Sequence, residues 1–258
     1  MKSISLYEEK NSFLNRLSPE SKILYVLSAV FIPIFMGNHM ASTGFILLSA
    51  LLLFGSGVIR KTIPILGVSG FVVLTVLLIQ GLFRAGNETA LFGIWGLTFY
   101  KEGLMFALDI AINVFNIILC FCVLVLCTKP SDMIENFVRR GFSPRFGYVF
   151  ISLFQLIPQM TEKMATITDA QKSRGMETEG NLLVRMKAFL PLISPVIMSS
   201  FIDTNERAIA LEVRGFNAKN RKTFLNEQHT TTLDKVIQGF LILGIVGAIG
   251  WRIMTWLR

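Results

Sequence analysis

Residues 103–127, GLMFALDIAINVFNIILCFCVLVLC, hold a single charged side chain, Asp109. A helix over this stretch would run about 37 Å at 1.5 Å per residue, enough to cross the roughly 30 Å of hydrocarbon in a bilayer. Four other apolar stretches approach that length, at 23–37, 41–59, 63–83 and 236–256. Composition agrees, since 52% of the 258 residues are hydrophobic and only 16% are charged. So low a charge fraction does not suit an ordinary soluble domain. The net charge of +8 sits beside apolar runs and not in basic stripes interleaved with aromatics, which argues against nucleic acid as a partner.

The first two apolar stretches are separated only by Asn38, His39 and Met40, so they read as a helical hairpin. Cys120, Cys122 and Cys127 lie inside one apolar run and read as small hydrophobes, not disulfide partners. The two histidines, His39 and His229, show no metal-ligand spacing, and no cofactor or catalytic motif stands out. The N-terminal residues MKSISLYEEKNSF carry an acidic pair and lack the apolar centre of a cleavable signal peptide.

Orientation follows from the basic residues, which concentrate on the cytoplasmic side. With the N-terminus inside, four Lys or Arg precede residue 23 and two more stand at Arg60 and Lys61. Another fifteen fall between Lys129 and Lys235, leaving only Arg84, Lys101, Arg252 and Arg258 outside. The expected organisation is a cytoplasmic arm at 1–22, four spans within 23–127, a cytoplasmic domain at 128–235 and a last span within 236–258. The fold class is an all-α integral membrane protein with about five transmembrane helices and a large cytoplasmic helical insert.

Two amphipathic helices can be traced in that insert. Ile157, Met160, Met164 and Ile167 form one stripe, opposite Gln159, Glu162, Lys163, Thr166 and Asp169, on a helix that ends at Gly175 with Pro158 near a kink or an early turn. Met198, Ile202, Ile209 and Val213 form the second, from about Pro195 to Gly215, with Asp203 and Arg207 spaced to pair at i, i+4. The apolar run 188–200, broken by Pro191 and Pro195, could either dip into the bilayer or pack under the helices.

Both helices end alike. Ala170, Arg174, Gly175 and Met176 match Ala210, Arg214, Gly215 and Phe216 at a constant offset of 40 residues. A glycine just past a helix takes the left-handed conformation that satisfies orphan carbonyls. An arginine there faces the negative end of the helix dipole, worth about 0.3 to 1 kcal/mol. One such ending is ordinary capping, but two on one insert suggest equivalent plugs for two equivalent sockets.

In these residues and in those that follow, the chain resembles the EcfT/CbiQ family, the transmembrane T components of energy-coupling factor importers within the ABC transporters. Leu17, Ser18, Pro19, Glu20, Ser21 and Lys22 look like the family's Leu, Asp or His, Pro, x, Thr, Lys start of the first span. Thr128, Pro130 and Asp132 resemble its Thr, x, Pro, x, Asp or Glu turn, and Phe142, Ser143 and Pro144 stand where it often has Gly, Leu, Pro. Ser173, Arg174 and Gly175, and Val213, Arg214 and Gly215, resemble its two Ala-Arg-Gly motifs, with Ser and Val where Ala is usual. The resemblance implies a non-catalytic membrane subunit whose two coupling helices bind two ATP-binding cassette ATPases and which holds a separate substrate-binding S component. Vitamins and transition-metal ions such as cobalt are both admissible substrates. A phosphate-binding Gly-x4-Gly-Lys-Ser/Thr loop occurs nowhere in the chain, in keeping with ATP bound elsewhere.

Four weaker features remain. Ser18–Pro19 suits a helix start, and Thr128 to Asp132 suits a stop followed by a new helix. Asp109, Asn113 and Asn116 put a polar stripe on the fourth span, better suited to helix–helix hydrogen bonding than to proton transport. Gly244, Gly247 and Gly250 form a small-residue strip. A self-sufficient secondary carrier with a regulatory insert is the alternative from another class, and an intramembrane enzyme finds no paired aspartates, Ser–His combination or HExxH motif.

Overall fold

The computed structural model describes residues 12–37, 39–86, 88–94, 97–176, 181–218, 224 and 231–256. They form two compact units, one within Ser5–Asn136 and Gln228–Arg258 and the other within Phe137–Glu227.

In the first unit a short helix α1 (Phe13–Arg16) precedes α2 (Pro19–Met36). Ser18 caps α2, its hydroxyl accepting from Ser21 N, and Pro19 sits where a missing N–H costs nothing. Gly37, at φ 60°, ends α2, and α3 (His39–Gly55) returns beside it, the hairpin expected from the sequence. At 17 residues α3 is only about 25 Å long. The apolar stretch expected as far as residue 59 is broken by a turn at Ser56 and Gly57, where Gly57 takes φ 68°. Accordingly α4 (Ile59–Phe83) begins earlier than expected and includes Pro64 in its second turn.

A two-stranded hairpin that the periodicity did not suggest follows: β1 (Ala90–Ile94) pairs antiparallel with β2 (Leu97–Tyr100). Its return strand runs straight into α5 (Lys101–Cys127). Helices α2, α4, α5 and α9 (Thr232–Trp256) are long and apolar enough to cross a membrane, and α3 is a shorter apolar helix. The chain is thus an all-α, multi-pass membrane protein.

Helix α5 is the axis of this unit, packing against α2, α3 and α4, while α9 packs on α2. Its buried side chains Leu119, Cys120, Val123 and Leu126 meet Tyr25, Val26 and Ala29 of α2 and Leu53 of α3 in one cluster. The outward faces remain apolar, as at Phe71, which is 71% exposed, because lipid and not water is their solvent. Between helices, hydrogen bonds supply the specificity that apolar contact with lipid-like neighbours cannot. Asn116 Nδ2 donates to the Ala29 carbonyl at 2.6 Å, Ser42 Oγ donates to Asn113 Oδ1 at 3.0 Å, and His39 Nε2 lies 3.3 Å from Asp109 Oδ1. The polar stripe of α5 therefore ties α5 to α2 and α3. Small residues bring α4 and α5 together: a Cβ on Gly103 would lie 2.2 Å from the Gln80 carbonyl oxygen. The α9 strip behaves differently, since only Gly244 meets a neighbour, Ile32 Cδ1, and Gly247 and Gly250 face open space.

Helix α6 (Pro130–Arg139) begins as expected at Pro130, with Asp132 in its first turn. The second unit contains α7 (Pro144–Ser173) and α8 (Leu182–Val213), both longer than the stripes implied. Pro158 lies inside α7, and the run 188–200 is neither a break nor a loop: Pro191 and Pro195 are both inside α8. Each proline removes one rung and crowds the preceding turn. Leu192 and Val196, one residue beyond each proline and four apart, are buried, so packing holds the helix through both.

Candidate functional site

Helices α7 and α8 lie antiparallel. Lys163 Nζ of α7 pairs with Asp203 Oδ2 of α8 and donates to Ser199 Oγ at 2.9 Å. Arg207 Nη2 donates to Gln159 Oε1, and further along the Tyr148 ring meets the Phe216 ring at 5.4 Å. Partner numbers fall on one helix as they rise on the other. The i, i+4 pair expected between Asp203 and Arg207 does not form: each reaches across to α7 instead, Asp203 to Lys163 and Arg207 to Gln159. This polar clamp is partly solvated, the Lys163 and Asp203 side chains being 32% and 30% exposed.

Both Arg-Gly endings have the same backbone. At the end of α7, Gly175 N donates to the Lys172 carbonyl at 2.9 Å and Met176 N to the Gln171 carbonyl at 3.1 Å. At the end of α8, Gly215 N donates to the Glu212 carbonyl at 2.9 Å and Phe216 N to the Leu211 carbonyl at 2.9 Å. These paired bonds, from the two residues after the cap, define a Schellman motif, repeated at the 40-residue offset. The motif needs a left-handed residue, and Gly175 (φ 89°) and Gly215 (φ 69°) provide it. Arg174 and Arg214 are the cap residues, one position beyond the last helical turn where they were expected.

Every residue singled out at the two tips is exposed: Ala170, Ser173, Arg174 and Gly175 on one, Ala210, Val213, Arg214 and Gly215 on the other. Val213 is 83% exposed, an apolar side chain left in the open beside a guanidinium. Met176 and Phe216 are half-buried, and Phe216 packs on the start of α7 through Tyr148 instead of on its own last turn alone. The structure does not bring the two tips together. Arg174 lies eleven residues beyond Lys163 and Arg214 eleven beyond Asp203, in opposite directions from the clamp. Each arm is roughly 17 Å of helix, so the arginines stand about 30 Å apart. Lys163 and Asp203 are themselves 40 residues apart, so the clamp joins positions equivalent under the repeat.

The start of α2 is a second polar centre, in the first unit. Asp234 of α9, 1% exposed, accepts from Ser18 N and Ser21 Oγ at 3.0 Å each through Oδ1, and from Thr231 N at 3.1 Å through Oδ2. Gln238 Nε2 donates to Ser21 Oγ at 3.1 Å, and the buried Lys22 donates from Nζ to the Cys127 carbonyl at 2.8 Å. The Ser-Pro-x-Ser-Lys run is thereby a junction of α2, α5 and α9. Sequence reading saw only the helix start there and missed Asp234, whose only local signal is its place three residues after Thr231 at a helix start. Among the described residues no group of three or more His, Cys, Asp or Glu could hold a metal ion.

Comparison with known proteins matches this architecture. The profile of the CbiQ family, described as Cobalt transport protein, covers residues 10–224. The energy-coupling factor transporter transmembrane protein EcfT of Staphylococcus aureus (strain 04-02981) is 28% identical over 261 residues, spanning 94% of this chain and 96% of its own. The EcfT of Lactococcus lactis subsp. cremoris (strain MG1363) is 27% identical, spanning 95% and 96%. That of Exiguobacterium sibiricum is 30% identical over 240 residues, spanning 86% and 88%. The match takes in the first four apolar helices and both Arg-Gly tips, and the chain belongs to the EcfT/CbiQ family of transmembrane transporter components.

Proposed function

We propose that the chain is the energy-coupling subunit of an ATP-driven importer, linking two ATP-binding cassette ATPases to a separate S component that captures a vitamin or a transition-metal ion. The observation that carries this reading is the pair of matching, exposed arginine tips at opposite ends of one clamped helix pair. Two equivalent plugs about 30 Å apart suit two equivalent sockets on two ATPases better than one composite site. Arg174 and Arg214 insert into those sockets and bond to acidic groups, and truncating one partner of such a desolvated pair costs about 2 to 5 kcal/mol. Nucleotide-driven approach of the ATPases moves both tips, shears α7 against α8 and retilts or releases the S component.

In this reading residues 1–22 and the coupling domain at 128–235 are cytoplasmic, the spans lie within 23–127 and 236–258, and the excess of basic residues on those segments supports the orientation. The chain itself carries out no catalysis and takes no cofactor; hydrolysis belongs to the partners. Co-expression with the ATPases tests the proposal. Arg174→Ala with Arg214→Ala is expected to lose co-purification and uptake, whereas each single variant keeps partial association. Normal association and uptake by the double variant would overturn the mechanism, and uptake by the purified chain alone in liposomes would favour a self-sufficient carrier.

A further inference from the structure

Helices α3 and α9 both pack on α2, and beside that junction the first unit holds a cavity of about 640 Å³ that the coupling role does not use. Ser21 and Ile32 mark its extent along α2, and Ala41 and Leu52 its extent along α3. Eleven residues of helix separate either pair, so the cavity is no less than about 17 Å long. Leu14, 4% exposed, lines the end near α1. Towards the other end a Cβ on Gly244 would lie 3.1 Å from Ile32 Cδ1, so α9 comes close to α2 there. Along its side it is lined by Leu48 and Phe240, 45% and 78% exposed, which continue into the outward surface whose solvent is hydrocarbon. The polar residues on the wall have their polar atoms engaged elsewhere: Ser21 Oγ donates to Asp234 Oδ1, Lys22 Nζ donates to the Cys127 carbonyl, and the Tyr25 hydroxyl lies 2.7 Å from Ser49 Oγ. What remains of the wall is almost wholly hydrocarbon.

We infer that this cavity holds one acyl chain of a bilayer phospholipid. An ordered water needs about two to four polar partners, and these walls offer almost none. A polar solute or an ion would give up its hydration without replacement. Left empty, the slot would deprive its lining atoms of contacts on one side. Shape then separates the two apolar candidates, a lipid chain and a helix of another protein. A volume of 640 Å³ spread over about 17 Å gives a mean section of about 38 Å², roughly 7 Å across. A helix with its side chains is about 10 to 12 Å across and does not fit. Carbon atoms in contact sit about 3.5 to 4.0 Å apart, so a single methylene chain does fit. The length agrees as well, since about 17 Å is close to half of the roughly 30 Å of hydrocarbon, the reach of a chain from one leaflet. Continuity with the lipid-facing surface at Leu48 and Phe240 gives such a chain its way in.

The test uses the full chain in nanodiscs of phosphatidylcholine with brominated acyl chains. Two reporters, Phe45→Trp on the cavity wall and Phe71→Trp on the exposed face of α4, are placed singly in a background whose Trp95, Trp251 and Trp256 are changed to Phe. Both are expected to be quenched relative to nanodiscs of the unbrominated lipid. Gly44 lines the cavity with nothing within 4 Å of an added Cβ, so Gly44→Phe fills the slot from its wall. That variant is expected to abolish quenching of the Phe45→Trp reporter and to leave the Phe71→Trp reporter quenched as before. Gly67→Phe, in open space on α4, is expected to leave both quenched, which separates filling of the cavity from the effect of a bulky residue on a membrane helix. Ala41→Phe, one turn from Phe45 on the same wall, is expected to act as Gly44→Phe does. No quenching of the Phe45→Trp reporter, or quenching that Gly44→Phe and Ala41→Phe both leave intact, overturns the inference. So does loss of that quenching when another protein co-purifies with the chain, which would make the cavity a protein-docking site.

Discussion

Replacing Asp234 by alanine puts the buried junction of α2, α5 and α9 to a quantitative test. The carboxylate accepts three hydrogen bonds at 3.0, 3.0 and 3.1 Å while almost wholly removed from solvent. Removing it does not strand the Ser21 hydroxyl, which lies 2.9 Å from Ser18 Oγ and can turn to it. The backbone N–H groups of Ser18 and Thr231 do lose their acceptor, and an unsatisfied buried donor costs about 1 to 3 kcal/mol. Thr231 is exposed, so water offsets part of its loss, and the net expectation is about 2 to 4 kcal/mol. For a chain of this size each kcal/mol moves the melting midpoint by about 2 to 4 °C, giving a fall of roughly 5 to 15 °C. The assay is thermal unfolding of the detergent-solubilised full chain at one fixed scan rate, because membrane-protein melting is seldom reversible. Asp234→Asn keeps one acceptor oxygen and should lose about half as much, while Asp169→Ala, at an exposed site on α7, should change almost nothing. An Asp234→Ala midpoint no lower than that of Asp169→Ala, or an Asn variant less stable than the Ala variant, would refute the reasoning.

Two further predictions rest on other contacts. Gly103→Ala forces a Cβ to within 2.2 Å of the Gln80 carbonyl oxygen, so α4 and α5 must separate and the melting midpoint should drop sharply, whereas Gly247→Ala, with open space around it, should melt like the native chain. If shear between α7 and α8 drives uptake, joining Gln159→Cys to Arg207→Cys with a short thiol-reactive linker should abolish transport without releasing the ATPases; the buried native cysteines are first replaced, and undiminished uptake after complete linking would exclude shear at this point.

The membrane helices were legible because hydrocarbon imposes a length and an apolarity that the chain writes plainly, as in residues 103–127. Their ends were less so: the turn at Ser56 and Gly57 interrupts an otherwise unbroken apolar run, and only the left-handed glycine betrays it. The Arg-Gly endings were legible down to backbone conformation, since Gly175 and Gly215 each occupy the one position that requires a positive φ. Pro191 and Pro195 misled in the other direction, because their local penalty is outweighed by the burial of Leu192 and Val196, which no local pattern announces. Asp203 and Arg207 had the spacing of a helical pair, but long-range partners on α7 took both. That α7 and α8 run antiparallel, and so send their tips in opposite directions, depends on contacts across some forty residues and cannot be read from either helix alone.

The Lys163–Asp203 clamp stands at the midpoint between the two arginine tips, and this has a mechanical consequence. The tips belong to different helices, so a displacement at one reaches the other only through these cross-helix contacts, and is passed on only as far as they hold. The polar contacts at this point are about one-third exposed, so breaking them alone costs little. If the tips are the coupling points proposed above, opposed pulls on them load these contacts first, and slip between α7 and α8 begins there.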